Sequence, residues 1–202
     1  MNKTILTFLA LFLTANTAAA QAPTIKVLIA GDSLTSSYSQ IDTWAIRWRD
    51  SRPDLHIHNA AYGGNSSVQV YNSVVQAWQN FGPFDYVVIM AGVNDPGKLV
   101  TNGAYHQLKA AKYAKKRGAT PVLITAPGTL NRGSAVNVYM AEQAKLLRSY
   151  RRGKYTLDLR DKLSLRGFAS YTADGTHPTD EGHQYLLGLI KPDLDNIIGA
   201  RR

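Results

Sequence analysis

Short apolar runs alternate along this chain with longer stretches in which apolar residues return every three or four positions. The runs Ile25–Ala30, Leu55–Ala60, Asp85–Ala91, Pro121–Thr125 and Tyr155–Leu159 read as five strands, with Tyr86-Val87-Val88-Ile89-Met90 the clearest buried one. The helical pattern covers Asp42–Ser51, Ser67–Phe81, Ala104–Arg117, Ala135–Tyr150 and Thr179–Ile198. Pro53, Gly82-Pro83 and Gly118 supply stops. Strands without a polar face, separated by helices of this length, predict βαβ units and an α/β fold whose parallel sheet is covered on both sides. Crossovers are then right-handed. Val70, Val74, Val75 and Trp78 share a helical stripe and are assigned to the core. No internal repeat or low-complexity linker interrupts the pattern, so residues 21–202 form one predicted domain.

The first twenty residues follow a different pattern. Lys3, an apolar core from Ile5 to Leu13 and Ala18-Ala19-Ala20 have the order of an export signal cut before Gln21. That core is too short to span a bilayer well, so a stable membrane anchor is not expected. The expected location is the periplasm or the medium. The formal charge is +9, and only two glutamates occur, Glu142 and Glu181. Loss of Lys3 with the leader leaves 22 basic and 14 acidic residues, a charge of +8. Such a field suits acidic partners, among them anionic polysaccharide, phospholipid headgroups or nucleic acid, or else is a solvated surface. Lys109, Lys112, Lys116 and Arg117 form one basic stripe, and Arg148, Arg151, Arg152 and Lys154 a second cluster. Their lack of interleaved aromatics disfavours nucleic acid. The absence of cysteine excludes disulfides, thiol catalysis, cysteine-bound metals and a lipoprotein anchor.

Four loops, each after a strand, carry residues with chemistry: Gly31-Asp32-Ser33-Leu34-Thr35, Asn59-Ala60-Ala61-Tyr62-Gly63-Gly64-Asn65, Gly92-Val93-Asn94-Asp95 and Asp174-Gly175-Thr176-His177-Pro178. Singly, each is an ordinary turn or, for the last, a helix start with an N-cap at Thr179. Together they fall on one edge of the sheet, where open α/β sheets bind ligands. A serine hydroxyl becomes nucleophilic when a histidine takes its proton, and the histidine needs an acceptor on its other nitrogen. Ser33, His177 and Asp174 are candidates for these parts. The Ser33 and Gly64 backbone N–H groups and the Asn94 side-chain amide are candidate donors to an oxyanion. Asp32 reads as a local acceptor.

The four blocks, GDSLT, NAAYGGN, GVND and DGTHP, resemble in order those of the SGNH/GDSL hydrolases, over essentially the whole chain after the leader. One departure is Ala61, where the second block usually has an earlier glycine. The resemblance implies a flavodoxin-like three-layer α/β/α sandwich with a five-stranded parallel sheet and ester hydrolysis through a covalent acyl-enzyme. It implies Ser33 as nucleophile, His177 as base, Asp174 as its orienter, an oxyanion hole of Ser33, Gly64 and Asn94, and no cofactor.

Other motifs carry less. Gly92 to Lys98 matches a phosphate-binding loop up to its lysine, but Leu99 stands where Mg²⁺ coordination requires Ser or Thr. No serine lies in the G-x-S-x-G elbow of α/β-hydrolases. His183 lies within a helix, and His56 and His58 have no carboxylate cluster to make them metal ligands. The expected activity is removal of short acyl groups, chiefly acetyl, from a carbohydrate. The alternatives are a lysophospholipase, thioesterase or medium-chain esterase, with Tyr38, Tyr62 and Leu99-Val100 along an acyl groove, and a non-catalytic binder of anionic polysaccharide.

Overall fold

Alternation inside the apolar runs sets the architecture. In the strand Ile25–Gly31 (β1), Val27 and Ile29 enter one hydrophobic cluster while Leu28 and Ala30 enter another. The strand Tyr86–Ala91 (β3) divides in the same way, Val88 and Met90 against Val87, Ile89 and Ala91. Successive strand side chains point to opposite faces, so both faces must be covered by helices. The computed structural model describes residues 24–36, 41–150, 155–163 and 165–199. The expected leader and its cut at Gln21, Tyr38, and the cations Arg151, Arg152 and Lys154 lie outside these.

With Leu55–Asn59 (β2), Thr120–Thr125 (β4) and Thr156–Leu157 (β5), the sheet has five parallel strands in the order β2-β1-β3-β4-β5. The helices are Trp44–Asp50 (α1), Ser67–Phe81 (α2), Gly103–Lys116 (α3), Gly133–Arg148 (α4), Leu159–Lys162 (α5), Leu165–Ala169 (α6) and Asp180–Ile198 (α7). One layer holds α1, α5, α6 and α7. There the fully buried indoles of Trp44 and Trp48 meet Leu186, Ile190 and Leu194 beneath the sheet. The other layer is built on α2 and α3, with α4 beside α3. Ala104, Ala110, Ala111 and Ala114 let α3 lie close against Val70 and Val74 of α2 and against β3 and β4.

The α/β class, the parallel sheet and the five helices expected from periodicity are all present. Four details differ. Strand five is two residues long, because the Asp158 side chain accepts from the Asp161 N–H and starts α5 where a strand was expected to run to Leu159. The short helices α5 and α6 occupy a stretch without a helical reading, since each is too short to display a period. The first helix begins at Trp44 and not Asp42, with extended Thr43 as its N-cap. Val70 and Val74 are fully buried, whereas Val75 and Trp78 are half-buried, the latter edge-on to Phe84 and Tyr113.

Candidate active site

All four motif loops leave the carboxyl edge of the sheet or pack against it. The first is a tight turn ending β1. Asp32 Oδ1 accepts the Leu34 N–H at 3.0 Å, and the Asp32 carbonyl accepts from the Thr35 and Ser36 N–H groups. A Cβ at Gly31 would lie 2.7 Å from Thr35 Oγ1 and 2.8 Å from the Met90 carbonyl, so this turn fits against β3 only with glycine there. From behind, the Trp44 indole donates to the Leu34 carbonyl at 3.0 Å and Thr43 Oγ1 to the Thr35 carbonyl at 3.0 Å. Ser33, itself largely buried, is thus held on a braced turn at the carboxyl end of β1.

The last loop brings the histidine to it. Thr179 caps α7, its Oγ1 accepting from the Gly182 N–H, and a bridge between Thr172 and Pro178 closes the loop. Asp174 Oδ1 accepts from the backbone N–H groups of Thr176 and His177 at 2.9 and 2.8 Å. Asp174 Oδ2 lies 2.8 Å from His177 Nδ1, and His177 Nε2 lies 3.1 Å from Ser33 Oγ. A proton on Nδ1 donating to the carboxylate leaves Nε2 as acceptor for the serine O–H. Burial alone would raise the Asp174 carboxyl, but the backbone N–H and ring of His177 and the Thr176 N–H outweigh it and hold it down at about 2. The carboxylate is therefore charged wherever the imidazole is asked to carry a proton.

The other two loops face this pair from the opposite layer. Gly64 has φ of +76°, a left-handed turn that favours glycine, and closes the β2–α2 connection. Among the described residues the backbone N–H groups of Ser33 and Gly64 donate to no protein acceptor. Asn94 is almost fully buried; its Nδ2 donates to the Asn65 carbonyl at 3.1 Å, and its Oδ1 accepts from Arg132 Nη1 at 3.1 Å. A flipped amide would set its oxygen against a carbonyl and its nitrogen against a guanidinium, so these partners determine its orientation. One Nδ2 hydrogen remains for a ligand.

Several contributors escaped the sequence reading. Arg132, on the β4–α4 loop, also donates to the Val93 carbonyl at 3.2 Å. Asp95 is fully buried; its two oxygens accept from the Ser67 N–H at 2.7 Å and the Tyr139 hydroxyl at 3.0 Å, tying the third loop to the start of α2 and to the second turn of α4. Thr129 and Asn131 both bond Thr176, fastening the β4–α4 loop to the histidine loop. These partners lie 28 to 47 residues apart, and no local pattern marks them.

Asp32 has the place expected of a local acceptor, but its second oxygen is buried without a partner. Burial pushes its carboxyl up to about 7; the Leu34 N–H draws it back and nearby Asp95 adds to the rise. Burial likewise raises Asp95, against the pull of the Ser67 N–H. His183 is buried in α7, where its Nδ1 accepts from the Trp44 N–H at 3.4 Å. Burial, with Arg47 nearby, lowers it to about 4. It braces α1 and stands apart from the serine. His58 packs at a tilt against Phe81, with ring centres 4.3 Å apart. Tyr62 lines an open groove of about 580 Å³ with Ser36, Ile46, Arg49, Asn59, Ala61 and Gly63. Leu99, expected beside an acyl chain, stands 89% exposed.

The fold is shared with several solved structures. The lipase/acylhydrolase from Enterococcus faecalis superposes with a TM-score of 0.68 at 16% identity, over 86% of this chain and 96% of that one. The psychrotrophic esterase EstA from Pseudoalteromonas sp., in a structure inhibited by monoethylphosphonate, gives 0.70 at 17% identity, over 86% and 98%. The acetyl xylan esterase AlAXEase gives 0.69 at 17% identity, over 83% and 98%. No curated protein matches the chain by sequence. The profile of the GDSL-like lipase/acylhydrolase family matches residues 29–185, from within β1 into α7 and across all four loops. With that match, on a sheet and loops of this arrangement, the chain belongs to the GDSL-like lipase/acylhydrolase family and is a carboxylic ester hydrolase.

Proposed function

We propose that this protein is an exported serine esterase that removes short acyl groups, chiefly acetyl, from a carbohydrate. The observation that carries the catalytic part is the unbroken line from Ser33 Oγ through the His177 ring to the Asp174 carboxylate, at 3.1 and 2.8 Å. In this reading Ser33 Oγ attacks the ester carbonyl while His177 Nε2 takes its proton. Asp174 keeps the Nδ1 proton in place and offsets the imidazolium charge. The carbonyl oxygen, now an anion, receives hydrogen bonds from the Ser33 and Gly64 N–H groups and from Asn94 Nδ2. His177 returns the proton to the departing alkoxide. Water, deprotonated by the same ring, then releases the acid and restores Ser33.

Support for a small acyl group on a carbohydrate comes from the open groove beside Tyr62, the strong exposure of Leu99, the basic surface, and the likeness of fold to an acetyl xylan esterase. Export rests on the leader pattern alone. Purified protein should release acetate from acetylated glycans and from a chromogenic acetate ester. A phosphonate ester should label it once, on Ser33, as read by mass spectrometry. Hydrolysis undiminished in Ser33→Ala would refute the mechanism, and preference for octanoyl over acetyl esters would replace the substrate class with a lipolytic one.

A further inference from the structure

The catalytic reading leaves unused a strongly basic surface among the described residues. Neither α2 nor α3 contains an acidic residue. Lys109, Lys112, Lys115, Lys116 and Arg117 form no ion pair among the described residues. Tyr105, Lys109, Lys112 and Lys116 stand three or four residues apart and share one exposed stripe of α3. At the helical rise they span about 16 Å, from the catalytic edge of the sheet toward the opposite one. Aromatic rings do lie among these cations, contrary to the sequence reading, and one of the two comes from the neighbouring helix. Lys109 Nζ sits 4.4 Å from the centre of the Tyr71 ring, and the Arg117 guanidinium 3.6 Å from that of Tyr113. The two tyrosines meet edge-on at 6.3 Å. With Lys112 and Lys116 they line a groove of about 360 Å³.

We propose that this groove is a second binding site, separate from the catalytic serine, and that it holds an acidic polysaccharide bearing carboxylates. The charges are set in a line, which suits a linear polyanion better than a compact anion. No carboxylate on either helix repels it. The faces of Tyr71 and Tyr113 are already capped by cations, so they offer little to a stacking base, which single-stranded nucleic acids require. Tyr105, 57% exposed at the catalytic end of the stripe and edge-on to His106 at 5.2 Å, carries no cation on its ring and offers a surface against which a pyranose can lie. The site does not depend on the chemistry proposed for Ser33, because binding is read without hydrolysis.

The test is equilibrium binding of purified protein to polygalacturonate, with the fully methyl-esterified polymer as an uncharged probe of the same backbone. The wild type should bind the acid form, weaken as salt rises, and ignore the ester. Lys112→Glu/Lys116→Glu should weaken binding at least tenfold, and Tyr105→Ala severalfold. An equal change of net charge elsewhere, Lys145→Glu/Lys162→Glu, should alter it less than threefold. All variants should keep the wild-type circular dichroism, and Lys112→Ala/Lys116→Ala provides a milder pair if charge reversal disturbs α3. No binding by the wild type, equal loss in the two double charge reversals, equal binding to the ester, or tighter binding to a DNA duplex or to anionic vesicles would each overturn the proposal.

Discussion

The two helical layers that sandwich the sheet are built on opposite principles. The layer of α1 and α7 is bulky and electrically closed. Its indoles fill the core, and Trp48 Nε1 donates to Asp195. Its cations meet carboxylates: Arg47 with Asp180, Arg52 with Asp54 and Asp195, Lys191 with Asp195. The layer of α2 and α3 is alanine-lined inside and bare of acids outside. Part of the net charge of the chain is therefore gathered on α3, whose cations meet no carboxylate among the described residues. Exposed ion pairs contribute little stability, so the contrast concerns what each face can attract more than how firmly it holds.

The same division runs through the candidate site. Ser33 and the Asp174–His177 loop adjoin the closed layer, at the starts of α1 and α7. Gly64 and Asn94 precede α2 and α3 in the open one. The proposed proton-transfer half and the proposed anion-binding half thus come from different sides of the sheet and meet at its edge. Breaking the first half should have the largest effect. His177→Ala is expected to lower kcat toward an acetate ester by about 10⁴-fold or more, and combining it with Ser33→Ala should add little, because the two act as a unit. Steady-state kinetics of the singles and the double test this; additive losses would show separate roles.

Breaking the second half should cost less. Asn94→Ala is expected to lower kcat by about 10²- to 10³-fold with little change in KM, the loss typical of one oxyanion donor. Smaller again is Arg132→Met, which removes the guanidinium that orients the Asn94 amide. Roughly a tenfold loss of kcat is expected. Arg132→Lys, which keeps the charge but not the planar fork, should recover only part of it. Full recovery would assign Arg132 an electrostatic role in place of a positioning one.

The remaining effects concern stability, and they set two buried titratable groups against each other. Asp32 is raised from 3.8 to about 7, so the folded state holds its proton longer than the unfolded chain. Its contribution is complete below pH 4 and is lost as pH climbs toward 7. His183 is lowered from 6.5 to about 4, so its contribution is complete above 6.5 and is lost as pH falls toward 4. Over the same window the two slopes oppose each other, each on the order of 3 kcal/mol. Denaturant unfolding should therefore show stability rising with pH between 4 and 6.5 in Asp32→Asn and falling in His183→Gln, with the wild type flatter than either. Parallel slopes in all three would remove these groups from the account.

Much of this molecule was legible before its fold was in view. The short apolar runs located all five strands, and α2 was read to both of its ends, where a Ser66–Gln69 capping box and Gly82 bound it. Thr179 was readable as the cap of α7. Three of the loops could be placed on one edge because each follows a strand in a parallel sheet; the fourth, expected directly after strand five, follows the short helix α6 instead. The illegible parts are those with partners far along the chain. Arg132 meets Asn94 across 38 residues, and Thr129 meets Thr176 across 47. Tyr71 beside the basic stripe was hidden for the same reason, since it belongs to α2 and reaches Lys109 only through helix packing, whereas Tyr105 and Tyr113 lie in α3 among the cations and were readable from the sequence.

By itself, then, the sequence determined the elements, their order, the sheet edge at which chemistry collects, and the residues able to perform it. Those follow from short-range rules: side-chain period, turn residues and the rise of a strand or helix. Only the tertiary structure decided that Ser33, His177 and Asp174 stand in hydrogen-bonding line, that Asn94 is held in one orientation by Arg132, and that the cations of α3 face tyrosines with no acid nearby. These depend on distances of a few ångströms between loops and helices remote in the chain. Packing sets such distances, and no local pattern encodes them.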